Sequence, residues 1–154
     1  MATLIRSIMH KATVVDGDMT VAEIAKVMVG AVTTPRGEVG SVLVAKRRGT
    51  SGKAIETGAV PECSLSNIEG IITERDVLRL VANGLDPTTI RAHEIMSSPL
   101  ITISAPDEPI DNASLLMFKH GIRRLPVVEN GKIIGIVTSR DVANSKWLVE
   151  RRGY

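Results

Sequence analysis

Apolar positions along the chain fall into patterns that recur, in the same order, in each half. Ser41-Val42-Leu43-Val44-Ala45 and Leu125-Pro126-Val127-Val128 are short runs rich in β-branched residues, bounded by polar segments, and predict buried strands. Ahead of each lies a stripe at helical spacing: Val21, Ile24 and Met28 in the first half, Ile110, Ala113 and Met117 in the second. Both stripes fall at i, i+3 and i+7, the pattern of a helix with one face in a core. Asp18 and Asp107 stand three residues before these stripes and are candidate helix caps. Earlier still, each half opens on an isoleucine–methionine pair, Ile8-Met9 or Ile95-Met96, followed by an extended segment, Thr13–Val15 or Leu100–Ile103.

The second half continues through Glu129-Asn130-Gly131-Lys132, where Asn-Gly between apolar runs signals a hairpin turn. The chain returns as Ile133–Val137 and enters the stretch Gly135–Asp141, GIVTSRD, whose twin is Gly70–Asp76, GIITERD. Each copy reads as a strand that turns into a helix, with helices predicted over Arg75–Ala82 and Arg140–Glu150. Asn83-Gly84-Leu85-Asp86-Pro87 stops the first of these. Each half is therefore β-α-β-β-α, an α/β (α+β) fold with one repeat over residues 1–86 and a second over 87–154. The twin motifs lie closer together than the twin isoleucine–methionine pairs, so the first repeat carries extra residues. A few fall near Thr33–Gly37. Most form an insertion in the hairpin over about 46–67, rich in Gly, Ser, Thr and charge, which reads as an extended, mobile loop.

The twin turns carry the candidate chemistry. Thr138 and Thr73 are good N-caps, and Asp141 and Asp76, three positions on, complete something close to a capping box. One reading stops there: threonine and aspartate satisfy free backbone N–H groups and do nothing more. The arginines support a second reading. Arg140 and Arg75 sit in the first helical turn, where the helix dipole is already positive and a cation is mildly unfavourable. Cations gathered on free N–H groups suit a phosphate, and a carboxylate beside them suits the paired hydroxyls of a ribose. Both readings stand on the sequence.

Composition narrows the classes. The 154 residues are 44% hydrophobic and 23% charged, ordinary for a globular protein, and suffice for one domain or two small ones sharing a core. Aromatics make up only 2%, so the core is aliphatic and methionine-rich, and a stacking platform for single-stranded nucleic acid is disfavoured. The net charge of +2 is too small to imply a polyanionic partner across the whole surface. A single cysteine, Cys63, excludes an internal disulfide framework and fits a reducing compartment. No apolar run approaches a membrane span and no secretory pattern opens the chain, so a cytoplasmic protein is expected. Gly49–Lys53 resembles a fragment of a phosphate loop, but Arg47 occupies the place of the required first glycine. Cys63, His10, His93 and His120 have no metal-ligand spacing, and no nucleophile stands beside a base; no metal, no required cofactor and no catalysis are expected.

The twin GI-[IV]-T-x-RD motifs, the GIRRLPVVENGKIIGIV run at Gly121–Val137 and the isoleucine–methionine pairs together resemble a tandem cystathionine β-synthase (CBS) domain module, over nearly the whole chain. That resemblance implies two repeats packed as a pseudo-twofold pair through their sheets, with clefts between them that bind AMP, ADP, ATP or S-adenosylmethionine. By position in the family motif, Asp141 and Asp76 would hold ribose hydroxyls, with Thr138 and Thr73 beside them. Arg123, Arg124 and Arg140 would meet phosphates, with Arg75 the first-repeat equivalent of the last. Val39 and Gly40, taken as counterparts of Arg123 and Arg124, would line the adenine pocket with backbone, and Ile24 would add an apolar wall. Because Val39 and Gly40 are not arginines, the two sites differ, and the one built on Asp141 is the better candidate. The resemblance also implies a homodimer in a flat disc that regulates a separate partner protein without catalysis. Two other classes are open: a nucleic-acid-binding protein using Lys46-Arg47-Arg48 and Arg151-Arg152, and a purely structural interaction module with empty clefts.

Overall fold

In a computed structural model the described residues are 2–30, 40–46, 55–56 and 64–152, with side chains beyond Lys146 and those of residues 55–56 left aside. Helix α1 is Ile5–Ile8 and strand β1 is Thr13–Asp16. Helix α2, Val21–Met28, leads to β2, Ser41–Ala45, then to a two-residue strand β3, Ile55–Glu56. Strand β4, Ile68–Thr73, runs directly into α3, Glu74–Ala82, and a short helix α4 covers Ala92–Ile95. Helix α5, Ile110–His120, precedes the hairpin of β5, Arg124–Glu129, and β6, Lys132–Thr138, and α6 spans Ser139–Arg152. Among the described residues, no helix is long and apolar enough to cross a membrane.

Contacts divide the chain into two compact units, one of residues 12–100 and one of residues 1–11 with 101–154. The segment that precedes each repeat's first strand thus packs with the other repeat's hairpin. Backbone hydrogen bonds show how. His10 and Ile136 exchange both bonds, at 3.0 and 2.8 Å, and Ser97 and Ile71 do the same at 2.9 and 3.1 Å.

The 12–100 unit has a four-stranded sheet in the order β3-β1-β2-β4, with β1 parallel to β2 and the other pairs antiparallel. The parallel pair requires a crossover, which α2 supplies. Its apolar face, Ile24, Val27 and Met28, buries against Val15, Val42, Val44, Ile72 and Ala92. The pairing of β3 with β1 corrects the expectation that the insertion is an extended loop throughout: part of it adds a strand at the sheet edge.

The unit of residues 1–11 and 101–154 is built on the β5–β6 hairpin, with Asn130 and Gly131 both at positive φ as an Asn-Gly turn demands. Its core joins Ile5, Ile103, Ile110, Ala113, Met117, Leu125, Val127, Val137 and Val142. The extended segment expected over Leu100–Ile103 forms a single parallel bridge, Ile103 to Val127, instead of a strand. Pro126 accepts from the Ile103 N–H at 3.0 Å but has no N–H to give the rung before it.

Two caps differ from expectation. Thr20, not Asp18, caps α2 in a box with Glu23, and Pro109 precedes α5. Asp107 instead pairs with Arg6 at 2.8 Å, and Arg6 also reaches Glu129.

Candidate functional site

Strand β6 ends at Thr138 and α6 begins at the next residue, so the chain passes from extended to helical within one peptide. The first helical N–H groups would be bare at such a junction. Asp141 reaches back to them: its Oδ2 accepts from the Thr138 N–H and from the Thr138 hydroxyl, each at 2.8 Å, while the Asp141 N–H donates to Thr138 Oγ1 at 3.2 Å. The carboxylate half of the box is repeated at the first turn, where Asp76 Oδ2 accepts from the Thr73 N–H at 2.8 Å and hydroxyl at 3.0 Å. The capping reading of the sequence is therefore realised at both turns. It occupies one oxygen of each carboxylate. Among the described residues the other, Oδ1, accepts nothing.

Asp141 has a further neighbour. His10 lies in the same compact unit, and its Nδ1 stands 3.1 Å from Asp141 Oδ2. The carboxylate is 17% exposed. Burial alone pushes its pKa up, but His10 and the two hydrogen bonds from Thr138 outweigh that and leave it below the usual aspartate value.

The cations gather beside the second turn through the backbone. Arg124 faces Thr138 in the β5–β6 register, and the Arg123 carbonyl accepts from the Ser139 N–H at 2.9 Å. Arg140 occupies the first turn of α6. Arg123 and Arg140 are exposed and Arg124 is half-buried; none of the three has an ion pair among the described residues. Unpaired cations and a helix start on one turn are electrostatically suited to an anion.

The first turn is poorer. The Gly40 carbonyl accepts from the Glu74 N–H at 3.2 Å and Ser41 faces Thr73. Gly40 thus answers to Arg123, and Ser41 to Arg124, which moves by one the correspondence expected for Val39 and Gly40. Arg75, exposed in the first turn of α3, is the cation that remains. Ile24 is fully buried in the core and presents no surface to a ligand. Val39, Arg47, Arg48, Gly49–Lys53 and Cys63 lie outside the described residues, and of Arg151 and Arg152 only the helical backbone is described. Among the described residues, no group of three or more His, Cys, Asp or Glu could hold a metal ion.

The sequence reading overlooked His10, set aside for lack of metal-ligand spacing. A signal was present: it follows the duplicated isoleucine–methionine pair, and the methionine of each pair lies against the glycine that opens a twin motif. A Cβ on Gly135 would meet the His10 carbonyl at 2.8 Å and Met9 Sδ at 3.2 Å; one on Gly70 would meet the Ser97 carbonyl at 2.7 Å and Met96 Sδ at 2.8 Å. Both glycines are present because another backbone crosses there.

Comparison with known proteins agrees with the duplicated turn geometry. The family model of the CBS domain matches residues 92–146. An uncharacterized protein of Methanopyrus kandleri is 51% identical over 75 residues, 47% of this chain and 38% of its own length, so the match takes in well under half of that relative. The CBS domain-containing protein YhcV of Bacillus subtilis is 36% identical over 102 residues, 66% of this chain and 71% of its own. Among solved structures, the CBS domain pair of protein MJ0100, in complex with 5′-methylthioadenosine and S-adenosyl-L-methionine, has the same fold at 23% identity, with a TM-score of 0.68 over 96% of this chain and 98% of that one. With a relative matched over most of its length and the twin strand-to-helix turns in place, the chain belongs to the CBS-domain proteins.

Proposed function

We propose that this chain is a regulatory, non-catalytic module that senses an adenosine-containing nucleotide of the AMP, ADP or ATP class, with its repeats over 1–86 and 87–154 and its primary site at the turn of residues 138–141. The observation that carries the reading is the division of labour on Asp141: Oδ2 caps the helix while Oδ1 accepts nothing among the described residues. A carboxylate oxygen without a donor among the described residues, next to the positive end of a helix and unpaired arginines, suits a ribose hydroxyl with a phosphate close by. MJ0100 shares only the fold at its level of identity; the turn chemistry of this chain supports a sugar phosphate, and the adenosine part of the reading rests on membership of the CBS-domain family. In this reading Arg123, Arg124 and Arg140 meet the phosphates, and Thr138 positions ribose or phosphate. Asp76, Thr73, Arg75, Val39 and Gly40 serve a weaker site, S-adenosylmethionine is an alternative ligand, and the module works as a homodimer on a separate partner protein.

Replacing Asp141 with alanine removes hydrogen bonds to a charged group, worth about 1.5–3 kcal/mol each. Affinity for AMP or ATP, measured by calorimetry, falls about tenfold to a hundredfold or more in Asp141→Ala while circular dichroism shows the fold intact. Unchanged affinity in that variant removes the site. The structural reading, in which both carboxylates serve as caps alone, is favoured if no adenosine compound raises the melting temperature of the unaltered chain.

A further inference from the structure

The two twin turns differ in what the crossing segment places against them. At one, the residue that exchanges both backbone bonds with β6 is His10; at the other, the residue bonded to β4 in the same way is Ser97. Those paired bonds, and the glycine at 135 that admits the crossing backbone, fix where the His10 side chain starts. Its ring is 22% exposed, but Nδ1 is sealed from solvent and has no well-directed hydrogen bond; Asp141 Oδ2 stands 3.1 Å away. An imidazole lone pair and a carboxylate oxygen repel at that range. A proton on Nδ1 turns the contact into an attractive one after a small rotation of the ring. Asp76 has no ring partner of this kind among the described residues.

We infer that His10 is a positioning residue for Asp141: in its Nδ1–H form it holds Oδ2 from the side opposite the helix, so that Oδ1 faces outward for a ribose hydroxyl, and this sets the 138–141 turn apart as the higher-affinity nucleotide site. Asp141 Oδ2 then takes donors from Thr138 and from the crossing segment together. A carboxylate held by three donors keeps one orientation, whereas Asp76, held through Thr73 alone, has more freedom to turn its second oxygen away. The pairing of His10 with Asp141 stands on geometry alone; its effect on nucleotide affinity rests on the function proposed above.

Two measurements on the full chain test the inference. Carbon and nitrogen chemical shifts of the His10 ring, recorded about pH 8, above the ordinary histidine value of about 6.5, report its tautomer. Nδ1–H is expected in the unaltered chain, with a return to the Nε2–H form that free histidine prefers in Asp141→Ala. Nε2–H in the unaltered chain overturns the pairing. Calorimetry with AMP reads the consequence. His10→Ala weakens binding about tenfold, the loss of one hydrogen bond to a charged group. His10→Asn, whose amide N–H can stand where Nδ1–H stood, restores most of it. Unchanged affinity in His10→Ala, or a loss that His10→Asn does not restore, overturns the positioning role. The nucleotide reading has a separate failure: AMP affinity unaffected by Asp141→Ala removes that reading, and the tautomer still decides the pairing.

Discussion

A carboxylate at the third position of a helix can cap it and still recognise a ligand, because the two tasks use different oxygens. Asp141 has the geometry for both, with Oδ2 held by Thr138 and flanked by His10 while Oδ1 accepts nothing among the described residues. The residue types at the turn were readable from the sequence, since Thr and Asp three apart carry a local hydrogen-bonding logic. Which oxygen each donor takes was not, because that depends on side-chain geometry. His10 was overlooked for a different reason: the duplicated pair that it follows marks its place, but its partner lies far along the chain and no local spacing reports it. The lowered pKa of Asp141 has a pH consequence. Its folded pKa lies below the ordinary value of about 3.9, so the unfolded chain binds the proton more readily. The stability that this group contributes is complete above that value and is lost as pH falls through the lower folded value. Carboxyl-carbon NMR should place the Asp141 midpoint below about 3.9, and Thr138→Val, which removes one donor, should raise it. A midpoint at or above the ordinary value in the unaltered chain contradicts this account.

At the scale of elements, β4 and β6 are the same device used twice. Each carries a bulge beside its glycine, with Glu69 of β4 extra against the step from Val44 to Ala45 and Ile134 of β6 extra against the step from Val127 to Val128, and each ends on the threonine that opens a helix. The bulge and the missing side chain let a crossing segment lie against the strand, as the close approaches to Gly70 and Gly135 show. The strand-to-helix order was legible from the apolar runs and the caps. The bulges were not, since one unpaired residue leaves no mark on a short apolar run. The failed strand at Leu100–Ile103 has the same moral: its residues favour extension, but the proline on the neighbouring strand withholds the next rung. Gly135→Ala sets a methyl group against the His10 backbone carbonyl, which cannot swing aside as a side-chain end would. Such overpacking costs about 1–3 kcal/mol. Urea denaturation of Gly135→Ala should show a lowered midpoint of that size, and an unchanged midpoint would mean that the crossing segment can move away.

Over the whole molecule, the exchange of the leading segments decides which residues share a core. Ile5, near the start of the chain, is fully buried among Ile103, Ile110, Leu125 and Val137. Ile95 and Met96, which open the second repeat, pack in the core that holds Ile24 and Ile72. Truncating Ile5 to alanine should therefore cost about 2–5 kcal/mol, the range for a buried isoleucine. Hydrogen exchange should locate the loss in β5, β6 and α5, despite their distance along the chain. Protection lost only around residue 5 would show that the segment docks without supporting that core.

By itself the sequence determined the duplication, the order of strands and helices, and the residue types at the two turns. Each of those follows from local rules of apolar period, capping and turn chemistry that act over a few positions. The tertiary structure alone decided that each leading segment crosses to the other repeat's hairpin, that His10 rather than a serine meets Asp141, and that Arg123 rather than its neighbour lends its carbonyl to the helix start. These are contacts between residues distant in the chain, and they depend on backbone register and close packing, to which residue spacing carries no reference.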